Sequence, residues 1–221
     1  IEYIYSQTRN TVQHGYGERF DLYALCQKDR IVISYGDRTG NQLDVLKSEI
    51  HKTMPAEEVR KIMEKIFQRK AADNIKFVFE SLREIPSAAR VLREEDYRDY
   101  EDFWLKCNPG CRNVEWLKEY FEEMAQEHVC IGMYADGRIV SCTDAPGMPY
   151  MAEQVQEIGI NTLTGYRGKG YASMACAKCI HEMTDRRKVP MWSTAADNLA
   201  SRRLARKTGF AEYAEVISMT L

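Results

Sequence analysis

A glycine-rich turn between a predicted strand and a predicted helix carries the clearest chemistry in this sequence of 221 residues. The strand is predicted over residues 155–162, and the turn after it contains Gly168 and Gly170. Glycines let the main chain approach a ligand closely, and the free N–H groups at the start of a helix favour an anion. Arg167 and Lys169 add positive charge. The turn therefore predicts an anion-binding site.

Two common phosphate-binding motifs do not account for this turn. A P-loop requires G-x-x-x-x-G-K-[ST], but the Gly168-Lys169 pair is followed by Gly170, so the hydroxyl that would bind Mg²⁺ is missing. A dinucleotide fingerprint requires G-x-G-x-x-G, and Gly168-x-Gly170-x-x-Ser173 supplies only two of the three glycines. That fingerprint also calls for an acidic residue after the next strand, where this chain has Thr194. Both nucleotide sites are therefore disfavoured.

Two signatures in the second half of the chain resemble those of the GNAT superfamily of N-acetyltransferases. Arg167-x-x-Gly170-x-Ala172 matches the acetyl-CoA pyrophosphate motif of that superfamily, [QR]-x-x-G-x-[GA]. The stretch that begins at Asn198 looks like its second signature, N-x-x-S-x-x-L-x-x-K-x-G-F. The resemblance covers about residues 89–221. A finer likeness is to a subfamily that includes antibiotic self-resistance acetyltransferases.

The resemblance implies an α/β fold of the α+β type. Its core is a GNAT-like mixed, mostly antiparallel sheet flanked by helices, in an acetyltransferase domain over residues 88–221. Residues 1–87 are predicted to form a small α/β N-terminal unit, with a hairpin near residues 20–35 and an amphipathic helix after Pro55. This unit is expected to cover one side of the acceptor cleft or to extend the fold.

The resemblance also implies acetyl-CoA as the acetyl donor. In this superfamily the amides at the start of the motif helix hold the pyrophosphate, and the preceding strand pairs with the pantetheine arm. The later helix lines the distal pantetheine. The expected donor-binding residues are Ile160, Asn161 and Thr162 on the strand, Arg167, Gly168, Lys169, Gly170, Tyr171 and Ala172 at the turn, and Asn198 and Ser201 at the later helix.

The implied reaction is direct attack of a neutral amine on the thioester carbonyl. It requires a base for the amine proton, donors for the oxyanion and a proton source for the thiolate. Glu157 is the expected base, directly or through a water, because many members carry a Glu just before the pantetheine-binding stretch. A solvated carboxylate, or one that recognises a cationic substrate, is the alternative. Ala205 stands where many members have a general-acid Tyr, which leaves Tyr171, Tyr213 or water for that role.

The seven cysteines are odd in number and spread along the chain, which predicts reduced thiols and a cytoplasmic location. Nothing at the N-terminus resembles a targeting signal. Cys176-x-x-Cys179 falls on the predicted inner face of the motif helix and is interpreted as core packing, because a structural zinc needs four ligands. No metal is expected.

The net charge of -2 hides an uneven distribution of charge. Residues 165–210 contain ten Lys and Arg against three acids, and the remainder of the chain is acidic. This suits an anionic donor and a cationic amine. The basic runs 186–188 and 202–203 fit either the 3′-phosphate of CoA or ordinary solvated helix faces. With no polybasic tail and no long apolar segment, neither a nucleic-acid partner nor a membrane partner is expected.

Together these features predict an acetyl-CoA-dependent N-acetyltransferase that acts on a primary amine of a small molecule. The expected partners are acetyl-CoA and that amine, with a homodimer left open. Two alternatives stay open as well. One is a non-catalytic acyl-CoA-binding regulatory module, and the other is a protein N-acetyltransferase.

Overall fold

The computed structural model describes residues 1–12, 18–147, 151 and 153–221. Within these ranges the chain forms eleven strands and six α-helices. The strands are β1 (Glu2–Tyr5), β2 (Leu22–Cys26), β3 (Ile31–Tyr35), β4 (Ala72–Phe79), β5 (Arg90–Val91), β6 (Ile131–Ala135), β7 (Arg138–Asp144), β8 (Val155–Glu157), β9 (Gly159–Thr162), β10 (Val189–Ala195) and β11 (Phe210–Met219). The helices are α1 (Gln42–Glu49), α2 (Ala56–Phe67), α3 (Tyr97–Cys107), α4 (Leu117–Gln126), α5 (Tyr171–Asp185) and α6 (Leu199–Lys207).

The first compact unit comprises residues 1–77, 193–199 and 212–221. Its strands, with the parts of β4, β10 and β11 that belong to it, lie in the order β1-β3-β2-β11-β4-β10. The predicted hairpin is confirmed as the antiparallel pair β2 and β3, and the predicted amphipathic helix is confirmed as α2. Its core includes buried side chains of α2 and of the hairpin. This unit is built from three stretches of chain. The N-terminal unit over residues 1–87 stays a prediction.

The second compact unit comprises residues 78–192 and 200–211. Its main sheet has the order β5-β6-β7-β9, and the three pairings in it are antiparallel. Helix α5 packs on β6, β7 and β9, and α3 packs on β7. Cys176 and Cys179 are fully buried on the inner face of α5, which confirms their interpretation as core residues. The predicted fold class, a mixed and mostly antiparallel sheet flanked by helices, is confirmed.

Membrane insertion through a helix finds no support here. Across the described parts of the chain, every helix is too short or too polar to cross a bilayer.

Gly209, the glycine of the second signature, is required by its surroundings. Its φ is +103°, and a Cβ there would lie 2.0 Å from the carbonyl oxygen of Ser81. The Gly209 carbonyl in turn accepts the N–H of Glu80 at 3.0 Å. A side chain at this position would therefore break a close backbone contact.

Gly209→Ala is expected to lower the free energy of unfolding by roughly 2–4 kcal/mol, through strain at positive φ and steric overlap. Denaturant titration with a tryptophan fluorescence readout measures the change. Gly110→Ala is the matched control, because Gly110 has a φ of +105° but nothing within 4 Å of its Cβ position. Equal losses in the two variants would show that the contact with Ser81 is unimportant.

Candidate active site

The predicted strand over residues 155–162 is extended chain that changes partners midway. β8 runs parallel to β10, with Glu157 opposite Met191, whereas β9 pairs antiparallel with β7. Ile158 lies between the two strands and donates its N–H to the Met191 carbonyl at 2.9 Å. The pairing with β10 therefore ends at Ile158, and the chain after it belongs to a different sheet.

The outer edge of β9 is open to a ligand. β9 is the last strand of its sheet, so among the described residues one of its edges has no strand partner. Leu163 donates its N–H to the Val140 carbonyl at 2.9 Å, and alternate residues of an antiparallel strand face the partner. Ile160 and Thr162 therefore direct main-chain polar groups to the open edge. An extended ligand that contains amides can pair with such an edge as an added strand.

The glycine-rich turn leads directly into the start of α5. Gly168 and Gly170 have φ values of +76° and +86°, a region that favours glycine. In the described structure no side chain caps α5, so its first N–H groups, at Tyr171 and Ala172, remain available to an anion. A Cβ on Gly168 would meet nothing within 4 Å, and one on Gly170 would meet only the end of Met174, at 3.9 Å. The space above the turn is therefore open.

Basic side chains and a tyrosine anchor stand around this turn. Arg167 and Lys169 are exposed, and Arg167 Nε donates to the carbonyl of Thr162 at 3.1 Å. Lys169 Nζ lies 5.0 Å from the centre of the Tyr166 ring. The Tyr166 hydroxyl donates to Asp136 Oδ2 at 2.6 Å, and this hydrogen bond raises the pKa of Tyr166. The turn is thus tied to β9 and to the β6–β7 hairpin while its cations face outward.

The later signature residues are divided between the two compact units. Ser201 lies in the second unit, where its hydroxyl accepts the indole N–H of Trp192 at 3.0 Å. Asn198 lies in the first unit, where its N–H donates to the Ala195 carbonyl at 3.0 Å. Ala205 is fully buried on α6, so a larger side chain does not fit there without repacking. The donor-binding roles of Asn198 and Ser201 stay predictions.

Glu157 occupies the end of β8, immediately before the change of partners. It is half-buried, and its N–H donates to the Pro146 carbonyl at 3.2 Å. Gln156 forms an antiparallel bridge with Gly147, so the segment after β7 runs alongside β8. This position beside the break is suited to a base that serves a ligand on the open edge. Its role as base stays a prediction.

A second carboxylate beside the break was missed in the sequence. Asp144 ends β7 opposite Gly159, and a Cβ at Gly159 would lie 1.9 Å from Asp144 Oδ1. The carboxylate therefore fills space that only glycine leaves. The Tyr120 hydroxyl donates to Asp144 Oδ2 at 2.9 Å. Burial raises the pKa of Asp144, although the hydrogen bond from Tyr120 partly opposes this. The one sign of this close contact in the sequence is Gly159, between Ile158 and Ile160.

Metal ligation finds no cluster to support it. In the portion of the chain that the structure describes, no three His, Cys, Asp or Glu side chains are placed to hold an ion.

Two solved structures share the fold. An acetyltransferase of the GNAT family from Colwellia psychrerythraea is 15% identical, with a TM-score of 0.57 over 73% of this chain and 62% of that one. A GNAT-family acetyltransferase structure from Novosphingobium aromaticivorans is 22% identical, with a TM-score of 0.53 over 67% of this chain and 63% of that one. The chain thus spans less than two thirds of either relative. At these identities the likeness shows the fold alone.

The likeness of this chain to a known family extends beyond the two signatures. A search of curated proteins finds no significant match. The model of the GNAT acetyltransferase family, however, matches residues 11–216, a span that begins well before residue 89, where the resemblance in the sequence starts. The match covers most of the chain. The protein therefore belongs to the GNAT acetyltransferase family of acyltransferases.

Proposed function

We propose that this protein transfers the acetyl group of acetyl-CoA to a primary amine of a small molecule. The observation that carries the proposal is the continuity of an open strand edge, β9, with an uncapped helix start, α5, through a glycine-rich turn. The edge suits the amide-containing pantetheine arm, and the helix start suits the pyrophosphate. The match of the chain to the GNAT acetyltransferase family supports the same assignment.

This arrangement supports the donor-binding roles that we propose for β9 and the turn. Ile160 offers its main-chain N–H and carbonyl to the pantetheine arm, and Thr162 offers its N–H, because its carbonyl accepts from Arg167. Asn161 lies between them on the strand. Gly168 and Gly170 keep the turn open, so that the N–H groups of the first turn of α5 reach the pyrophosphate. Exposed cations next to the turn lower the electrostatic cost of holding two phosphates. The donor-binding set we propose is Ile160, Asn161, Thr162, Arg167, Gly168, Lys169, Gly170, Tyr171, Ala172, Asn198 and Ser201.

The proposed reaction is a single displacement at the thioester carbonyl. Glu157 takes a proton from the attacking amine, directly or through a water, as the C–N bond forms and the C–S bond breaks. The departing thiolate takes a proton from water. Ala205, at the position where many members of the superfamily carry a Tyr, is buried and has no acidic group. Tyr171 and Tyr213 are the alternatives to water for that role. We keep a cytoplasmic location as part of the proposal, on the pattern of the cysteines in the sequence.

A panel of amine acceptors tests the proposed function. The protein is incubated with acetyl-CoA and each amine, and release of the free CoA thiol is followed with a chromogenic disulfide reagent. The panel contains small primary amines, peptides with free N-termini and peptides with internal lysines. We expect amine-dependent release with small amines and none with the peptides. Release with peptides alone would favour a protein acceptor. Donor binding without turnover over the whole panel would favour a regulatory module.

A further inference from the structure

Three aromatic side chains form a row that ends at the Asp144 carboxylate: Trp104 of α3, Trp116 just before α4, and Tyr120 of α4. The rings of Trp104 and Trp116 meet edge to face with their centres 5.5 Å apart, and Trp116 lies 5.8 Å from Tyr120 in the same geometry. Tyr120 donates to Asp144 at 2.9 Å. We call these four residues the aromatic–carboxylate site. Trp116 is 47% exposed, so the site opens to solvent at one end and has its carboxylate at the other.

The Asp144 carboxylate has no cationic partner in the described residues. Its hydrogen bonds come from the Tyr120 hydroxyl and from its own main-chain N–H. A half-buried anion without a countercharge carries a desolvation cost, which an ammonium ligand would offset. On the side away from Tyr120, the carboxylate occupies the space that Gly159 leaves by having no side chain.

The surrounding charge favours the same ligand. Residues 94–127, which contain α3, α4 and the loop between them, hold eleven acidic and four basic side chains. This part of the second unit therefore attracts cations, in contrast to the basic turn at Arg167 and Lys169. Burial raises the pKa of the Cys107 thiol at the end of α3, and the charge of Arg167 at that turn partly opposes this. The carboxylate of the aromatic–carboxylate site, Asp144, pairs with Gly159 at the start of β9, the strand that leads to the basic turn.

Aromatic faces and a carboxylate together recognise organic ammonium ions. The ring faces attract the positive charge and contact the apolar body, while the carboxylate accepts an N–H from the ammonium. A neutral ligand gains only the apolar contact. We propose that the aromatic–carboxylate site binds the acceptor as an organic ammonium ion with an apolar body. The identification of the ligand as the acetyl acceptor rests on the proposed function. The class of the ligand rests on the geometry of the site alone.

The roles of the residues differ within the site. Asp144 contacts the ammonium, and Trp116 contacts the apolar body. Tyr120 is a positioning residue, since its hydrogen bond aims the carboxylate. Gly159 leaves the space in which the carboxylate stands, so a larger residue there would displace it. The site borders the change of partners at Ile158, next to the proposed base Glu157.

Calorimetric titration without acetyl-CoA tests the inference on the full chain. The probes are phenethylamine and its neutral isostere 2-phenylethanol. We expect wild-type protein to bind the amine at least about tenfold more tightly than the alcohol. Asp144→Asn should remove that preference, and Gly159→Ala should do the same by displacing the carboxylate. Trp116→Leu should lower the affinity for both probes. Thermal unfolding of each variant checks that it folds.

Glu119→Gln is the matched control, because it removes an exposed acid of α4 one residue from Tyr120 without touching the site. It should keep the preference for the amine. The inference would be overturned if wild type bound the two probes equally or bound neither. It would also be overturned if Glu119→Gln lost the preference for the amine as fully as Asp144→Asn does. Acetyl-CoA affinity is measured on the same proteins. If wild type binds the amine but not acetyl-CoA, the proposed function fails while the ammonium site stands.

Discussion

Gly170→Asp is expected to abolish retention of the protein on a CoA resin. Gly170 precedes the first residue of α5 at a φ of +86°, where the N–H groups of the helix start converge. A carboxylate there places negative charge next to the pyrophosphate and competes for the same donors, so affinity should fall by at least about 100-fold. Retention, followed by elution with free CoA, measures the effect.

Gly170→Asn separates charge from conformation in this experiment. Asn has nearly the shape of Asp, lacks its charge and tolerates the left-handed region better than most residues. We expect this variant to be retained, with a loss of affinity much smaller than that of Gly170→Asp. If Gly170→Asp binds the resin as wild type does, the assignment of the phosphates to this turn is wrong.

Glu157→Gln is expected to lower turnover by roughly 10²–10⁴-fold, the usual contribution of a positioned general base. The variant keeps the size of the side chain and the hydrogen bond from its N–H to Pro146, so the affinity for acetyl-CoA should stay close to that of wild type. The pH dependence of turnover should flatten, because the group that takes the amine proton has been removed. Steady-state kinetics across pH, with acetyl-CoA titrations, measure both effects.

Glu153→Gln is the control for this prediction. Glu153 is an exposed acid four residues before Glu157, so its removal changes the local charge equally without touching the break. It should leave turnover unchanged. Unaltered turnover in Glu157→Gln would exclude Glu157 from the mechanism and turn attention to Asp144, the other carboxylate at the break.

Local features of the site were predictable because neighbouring residues specify them. The turn with Gly168 and Gly170 and the inner face of α5 depend on glycine conformation and on helical periodicity. The hairpin of β2 and β3 likewise follows from short apolar runs separated by a turn. In each case a few consecutive residues carry the whole signal.

The features that were missed depend on pairing between distant segments. The run over residues 155–162 reads as one strand, and only the partners β10 and β7 show that it divides at Ile158. Asp144 and Tyr120 are 24 residues apart, and no periodic pattern joins them. Tertiary contacts of this kind leave no mark in a local pattern.

Transfer of an isotopically labelled acetyl group tests whether the protein acetylates an amine. Labelled acetyl-CoA is mixed with stoichiometric protein and an amine from the panel, and the products are separated and identified by mass spectrometry. We expect the label to appear on the amine nitrogen with wild type and to stay in acetyl-CoA with Glu157→Gln over the same interval. Label recovered only as free acetate, or only as unreacted acetyl-CoA over the whole amine panel, would contradict this expectation.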